Sequence, residues 1–217
     1  MSGVNQVAFM NQRSFGPPAA PAEIGAAYGG GFYAGMYLTG DAYYFLVICP
    51  AAAGAESNKK YQTNTTTVSG ADSVIDGAQN TADLIAAATT HDAASFCNDI
   101  NTGGYTDWYL PAKYEIEMLY FYFKPGTGGN KTTVGANIYT VPPRPNNYTD
   151  GSNGVPAPTT VSAFQSSGAE ELNTALHWSS TETAYNAAWG KQFNTGFGEV
   201  LLKTSRNKVR AVRRVAA

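Results

Sequence analysis

Charge is what this chain has least of. Asp, Glu, Lys and Arg make up 14% of its 217 residues, against roughly 25% in an average soluble protein. With 14 basic and 16 acidic residues it carries a net charge of -2, so it lacks the clustered basic face that binding nucleic acid requires. The C-terminal run SRNKVRAVRR is locally basic, but its alternation with Val and Ala reads as a strand. Cysteine is equally scarce: Cys49 and Cys97 form no CxxC and no zinc pattern. Cys49 closes an apolar run and Cys97 falls on an expected helix, so both read as buried free thiols, with a single disulfide as the alternative. No apolar run approaches the length of a membrane span, and the longest, AYYFLVIC, has the length of a strand. No membrane insertion is therefore expected. The opening MSGVNQVAFMNQRSF lacks the basic start and apolar core of a secretory signal. The expectation is a soluble chain that is not exported by the usual route.

What is abundant is neutral and aromatic: 23 Gly, 14 Tyr, and many Asn, Thr and Ser. Residues 1–28 are rich in Gln, Asn, Pro and Ala, with GPPAAPA at their centre. Proline there favours extended chain and denies a helix, so this segment reads as an N-terminal arm. From residue 29 the pattern changes. Two apolar runs, Phe32–Leu38 and Ala42–Cys49, are separated by TGD, which predicts a hairpin. A polar stretch over about 55–70 follows, and then THDAASFCNDINT predicts a short helix with Thr90 as its N-cap. In KYEIEMLYFYF, residues Ile116, Leu119, Tyr120 and Phe123 recur at helical spacing. Residues 124–170 have no periodicity and hold most of the downstream prolines, so they read as a long insertion with a role of its own. From Leu172 four short runs, ALHWSSTE, AAWGKQFN, EVLLKT and KVRAVRRV, predict an antiparallel meander. Strands segregated from helices make this an α+β domain over 29–217, and AYYFLVIC is expected to pair with KVRAVRRV.

One short stretch, GGYTDWYLPAKYEIEMLY, is followed at a distance by HWSSTET, AAWGKQF and KVRAVRRV. In that order these motifs resemble the Lcl C-terminal-type domain. The pattern falls on Gly104, Asp107, Trp108, Leu110 and Pro111, then Trp178, Ser179 and Ser180, then Trp189, and finally Val209, Arg210, Val212 and Arg213. The resemblance implies a C-type-lectin-like fold, distantly related to the formylglycine-generating enzymes. It implies two helices packed on small antiparallel sheets, with the N- and C-terminal strands paired. Within the motif, Pro111 suits the first turn of a helix, and Asp107 is placed to accept backbone N–H bonds in the turn. Trp108, Leu110, Trp178 and Trp189 read as core.

The chemistry-bearing motifs thin out quickly. His91 and His177 are far apart, no HExxH or EF-hand loop occurs, and KPGTGGNKTT has Asn130 where a P-loop needs glycine. No catalytic residue, metal site or cofactor is expected, and the calcium tripeptides of sugar-binding C-type lectins are absent. The remaining candidate is a contact surface over 179–199, where aromatics alternate with small polar residues as in paratope loops. Its expected exposed, ligand-binding residues are Thr181, Glu182, Thr183, Tyr185, Asn186, Lys191, Asn194, Thr195 and Phe197. With the resemblance, this predicts a non-enzymatic phage virion protein that assembles in host cytoplasm. Its partners would be a host-surface receptor (protein or glycan), other virion proteins through the arm, and further copies of itself, a trimer first. Two other readings are a bacterial surface or periplasmic binding module and a formylglycine-generating-type enzyme.

Overall fold

The structure is a computed structural model and describes residues 21 and 23–217. Of the arm expected over 1–28, residues 1–20 and 22 therefore lie outside the described residues. Residues 23–28 are seen, and they pack on the domain: Gly25 N donates to Tyr33 O at 2.8 Å, and Ile24 and Tyr28 sit against Tyr33 and Phe45.

The first strands are β1 (Ala27–Tyr28), β2 (Gly31–Thr39) and β3 (Ala42–Ile48). A single helical turn, α1 (Ala51–Gly54), leads into β4 (Ala55–Lys60). Three helices follow: α2 (Gly77–Ala86), α3 (Asp92–Asn98) and α4 (Lys113–Phe123). After the two-residue β5 (Thr140–Val141) come β6 (Leu176–Ala184), β7 (Ala187–Gln192) and β8 (Gly198–Leu202). The chain closes with β9 (Arg206–Arg210) and β10 (Val212–Ala216).

These strands form two sheets, ordered β1-β2-β3-β10 with β5 on β2, and β4-β9-β6-β7-β8. The predicted hairpin is β2–β3, and the first three runs of the predicted meander are β6–β7–β8. The fourth does not continue it, because β9 lies on the far side of β6 and runs parallel to it. The expected pairing of AYYFLVIC with the last segment is present, but KVRAVRRV is two strands rather than one. Its first half pairs with β4, and its second half pairs antiparallel with β3. Ala211, fully buried between them, is where the chain crosses from one sheet to the other. The observed architecture is thus mixed and β-rich, with few helices and strands that are antiparallel except where β9 runs beside β6.

β3 is buried on both faces, and its two-residue period sorts side chains into two cores. Leu46 and Ile48 join Ile116, Leu119, Tyr120 and Phe123 of α4, while Val47 and Cys49 join Trp108, Trp178, Leu84 and Cys97. Fully burying an aliphatic side chain of this size contributes about 1.5–3 kcal/mol. Both cysteines are free and buried, as expected.

Several local expectations are corrected. Three helices of seven or more residues stand where two were expected. α2 was hidden because, among its large apolar side chains, only Leu84 is fully buried, so it has almost no apolar stripe. Its start is set instead by Asp76, whose side chain accepts from Gln79 N at 2.9 Å. The N-cap of α3 is His91 rather than Thr90, and it makes no side-chain cap. Pro111 lies just before the N-cap of α4, Ala112, not in its first turn. The orphan amides there go to a buried carboxylate: Glu115 accepts from Ala112 N at 2.7 Å and Gly77 N at 3.1 Å. Asp107 does not hold turn amides. It takes Arg213 Nε and Nη2 at 2.7 and 2.8 Å, tying the turn to β10. The polar stretch expected over 55–70 begins with strand β4.

Residues 124–170 are mostly irregular in backbone yet firmly packed. Phe164 is fully buried and stacks on Phe123 with centroids 4.1 Å apart. Asn130 replaces a strand ladder with side-chain bonds. Its Nδ2 donates to Thr149 O and Pro156 O at 2.9 Å, and its Oδ1 accepts from Tyr120 and Lys124 at 2.7 and 2.9 Å.

Candidate functional site

Between the N-terminal half of α4, the loop around residues 133–147 and the β7–β8 ribbon lies a cleft of about 480 Å³. Its floor follows from the two-residue period of β7. Trp189 and Lys191 point to one face, toward α4, while Ala188 packs on the opposite face with Trp178. Gly198, opposite Lys191 in register, leaves the floor open. Phe197 forms one rim, and Val134, Gly135, Ala136 and Asn147 form the facing wall. That wall depends on a glycine: Gly135 has φ +117°, and a Cβ there would run into the ring of Tyr148.

Trp189 is half-buried rather than core, because the cleft leaves its indole uncovered on one side. Lys113 Nζ stands 3.9 Å over its ring, a cation–π contact worth about 0.5–2 kcal/mol. Behind it, Glu117 is buried and fully engaged. Arg144 donates to it from Nη1 and Nη2 at 3.1 and 2.5 Å, Asn137 Nδ2 at 2.6 Å, and Tyr148 OH at 2.6 Å.

Lys191 is 5% exposed. Its Nζ donates to Tyr148 OH at 3.2 Å and lies 5.0 and 5.3 Å from the ring centroids of Tyr148 and Tyr120. Its other two N–H bonds find no acceptor among the described residues. Burial pulls its amine down from 10.5 to about 8, Glu117 opposes that shift, and Arg144 and Lys113 add to it. The cleft thus combines an aromatic floor, a mainly apolar wall and a buried amine with spare donors, the usual make-up of a small-ligand site.

The residues expected to be exposed along 179–199 divide three ways. Thr183, Tyr185 and Asn194 are exposed, with Tyr185 60% so. Asn186, Thr195 and Phe197 are half-buried. Thr181, Glu182 and Lys191 are buried, which corrects the expectation. Thr181 is held inside by its own bonds, accepting from Lys113 N at 3.0 Å and donating to Ser73 O at 2.8 Å. Glu182 accepts from Lys203 Nζ at 2.6 Å and Val68 N at 3.0 Å. Of the expected set, the cleft brings together Lys191 and Phe197 alone. Reasoning from sequence missed Lys113, Glu117 and the exposure of Trp189. The two-residue spacing of Trp189 and Lys191 is the signal that places both on one face of β7, whereas no local pattern ties Lys113 and Glu117 of α4 to that face.

The residues best suited to nucleophilic or acid–base chemistry are muted elsewhere in the fold. Burial lowers His91 to about 4 and His177 to about 3 and raises the Cys49 thiol to about 12. Burial also holds the Cys97 thiol well above its usual range.

Fold and site together define a β-rich α+β domain with a ligand-sized cleft on its C-terminal sheet. The chain belongs to the Lcl C-terminal domain family, whose model matches residues 51–213. No curated protein matches the chain. Among solved structures it is similar to a fimbrial protein from Bacteroides ovatus, at 14% identity and a TM-score of 0.43, over 78% of this chain. The chain spans 35% of the length of that protein.

Proposed function

We propose that this chain is a non-enzymatic, surface-displayed binding module of C-type-lectin-like fold. In this reading it sits on a phage virion as a tail or capsid-surface protein and engages a host-surface receptor. The observation that carries the binding role is the cleft over β7, where Trp189 and Phe197 offer aromatic contact and Lys191 offers unused donors. The C-type-lectin-like reading is supported by the pairing of β10 with β3, which brings the C-terminal strand beside the first hairpin. The non-enzymatic reading is supported by the two histidines, which burial keeps neutral, and by the two thiols, which burial keeps protonated.

In the same proposal residues 1–28 attach the module to the particle, and copies associate, as a trimer first. The test is binding of the purified full chain to host cells. Trp189→Ala is expected to lower binding at least tenfold with the cooperative melt retained. Unchanged binding by a folded Trp189→Ala protein would remove the cleft from the account. Deletion of residues 1–22, which spares the segment packed on the domain, is expected to abolish incorporation into particles, and normal incorporation would end the attachment role.

A further inference from the structure

The charge balance inside the cleft is uneven. Lys113 and Lys191 both line it, and the one lining carboxylate, Glu117, is already matched by the two-pronged contact from Arg144. Two ammonium groups are therefore left without a carboxylate among the cleft residues. Burying an uncompensated cation costs several kcal/mol unless something pairs with it, so Lys191 is stabilised by any anion that reaches its free donors. The rest of the lining narrows what carries that anion. Trp189, Phe197, Ile116, Val134 and Ala136 are apolar, the Ser179 hydroxyl is already committed to Trp189 O at 3.0 Å, and the polar Thr133 and Asn147 are solvent-exposed. A polyhydroxylated body would leave most of its own polar groups unpaired here.

We propose that the cleft binds a carboxylate carried on an apolar body, with the carboxylate on Lys191 Nζ and the body between Trp189 and Phe197. This rests on the cleft being the binding site, and it goes further by naming the ligand chemistry. The carboxylate can come from a free small acid or from the C-terminus of a polypeptide that ends in an apolar residue.

The groups facing Lys191 decide how binding depends on pH. Glu117 and Lys113 face it from α4, Arg144 and Tyr148 from the loop, and Tyr120 from α4. His177, its cross-strand neighbour on β6, is lowered to about 3 by burial and so is neutral above pH 5. A carboxylate stays ionised above pH 5, so the affinity follows the Lys191 ammonium. It is level below about 8 and falls as pH rises beyond that value.

The experiment titrates the full chain with phenylacetate, its neutral amide phenylacetamide, glucuronate, and a peptide ending in Leu with a free or amidated C-terminus, by calorimetry or NMR shift. Phenylacetate is expected to bind at least tenfold tighter than phenylacetamide and glucuronate. Lys191→Met should erase the preference over the amide, and between pH 8 and 10 the affinity for phenylacetate should fall several-fold in the unmodified protein. A free-terminus peptide that outcompetes its amide identifies the polypeptide source, and a peptide that does neither identifies the small acid. Equal binding of acid and amide, or glucuronate binding as tightly as phenylacetate, overturns the proposal. Because host-cell binding by Trp189→Ala is read separately, a cleft that binds cells but ignores carboxylates sinks this inference alone. A cleft that binds phenylacetate but no cell sinks the receptor role alone.

Discussion

Two buried lysines on the same C-terminal sheet live in opposite surroundings. Lys203, just beyond β8, is fully buried and donates to Glu182 at 2.6 Å and to Thr66 O at 2.7 Å. Lys191, on β7, is almost as buried but meets a tyrosine hydroxyl at 3.2 Å and no carboxylate of its own. The first region is complete, because every strong charge has its counter-charge inside the protein. The second is incomplete in a place that opens to solvent through a cleft. A buried charge says little about function until its partners are counted, and here the count separates scaffold from site.

Substitution of the two lysines should move stability in opposite directions. Lys203→Met leaves Glu182 buried without its partner and is expected to cost about 3–5 kcal/mol, seen as a lower denaturant midpoint. Lys191→Met removes a charge the fold pays to bury, and at pH 7 it is expected to stabilise by up to roughly 3 kcal/mol. The sign follows from protons. Lys191 titrates near 8 when folded against 10.5 ordinarily, so between those values the unfolded chain holds the extra proton and stability rises with pH. The advantage of Lys191→Met should therefore be full below pH 8 and shrink toward zero by about pH 10.5. Denaturant melts of both proteins at pH 7 and 10 check this, since the tyrosines shared by the two cancel in the difference.

Smaller effects sharpen the same contrast. Trp189→Ala is expected to weaken phenylacetate binding about tenfold, or about 1.4 kcal/mol. Tyr185→Ser should leave that affinity within about twofold, or about 0.4 kcal/mol, because Tyr185 is exposed on the β6–β7 turn, outside the cleft lining.

Much of the scaffold was legible in the chain. The β2–β3 hairpin, the helical spacing of Ile116, Leu119, Tyr120 and Phe123, and the joining of the last strand to β3 all follow from apolar period and turn residues. β4 was not legible. It is a polar edge strand whose place is set by pairing with β9, a partner far along the chain that no local pattern records. The site was legible in location but not in orientation. Segment 179–199 does carry the floor of the cleft, yet polarity was a poor guide to exposure within it. Thr181 and Glu182 are drawn inside by partners on distant segments, Ser73, Val68 and Lys203. Trp189 is left uncovered because the wall facing it comes from the aperiodic loop, whose position rests on Asn130, Asn137 and Gly135 rather than on any repeat.

The most direct measurement is an NMR titration of the lysine side-chain signals, with Lys191 assigned by its loss in Lys191→Met. The account predicts that Lys191 titrates near pH 8 and that saturating phenylacetate raises its midpoint. A Lys191 that titrates near 10.5 and does not respond to phenylacetate would contradict the claim that this cleft holds an uncompensated cation waiting for a ligand.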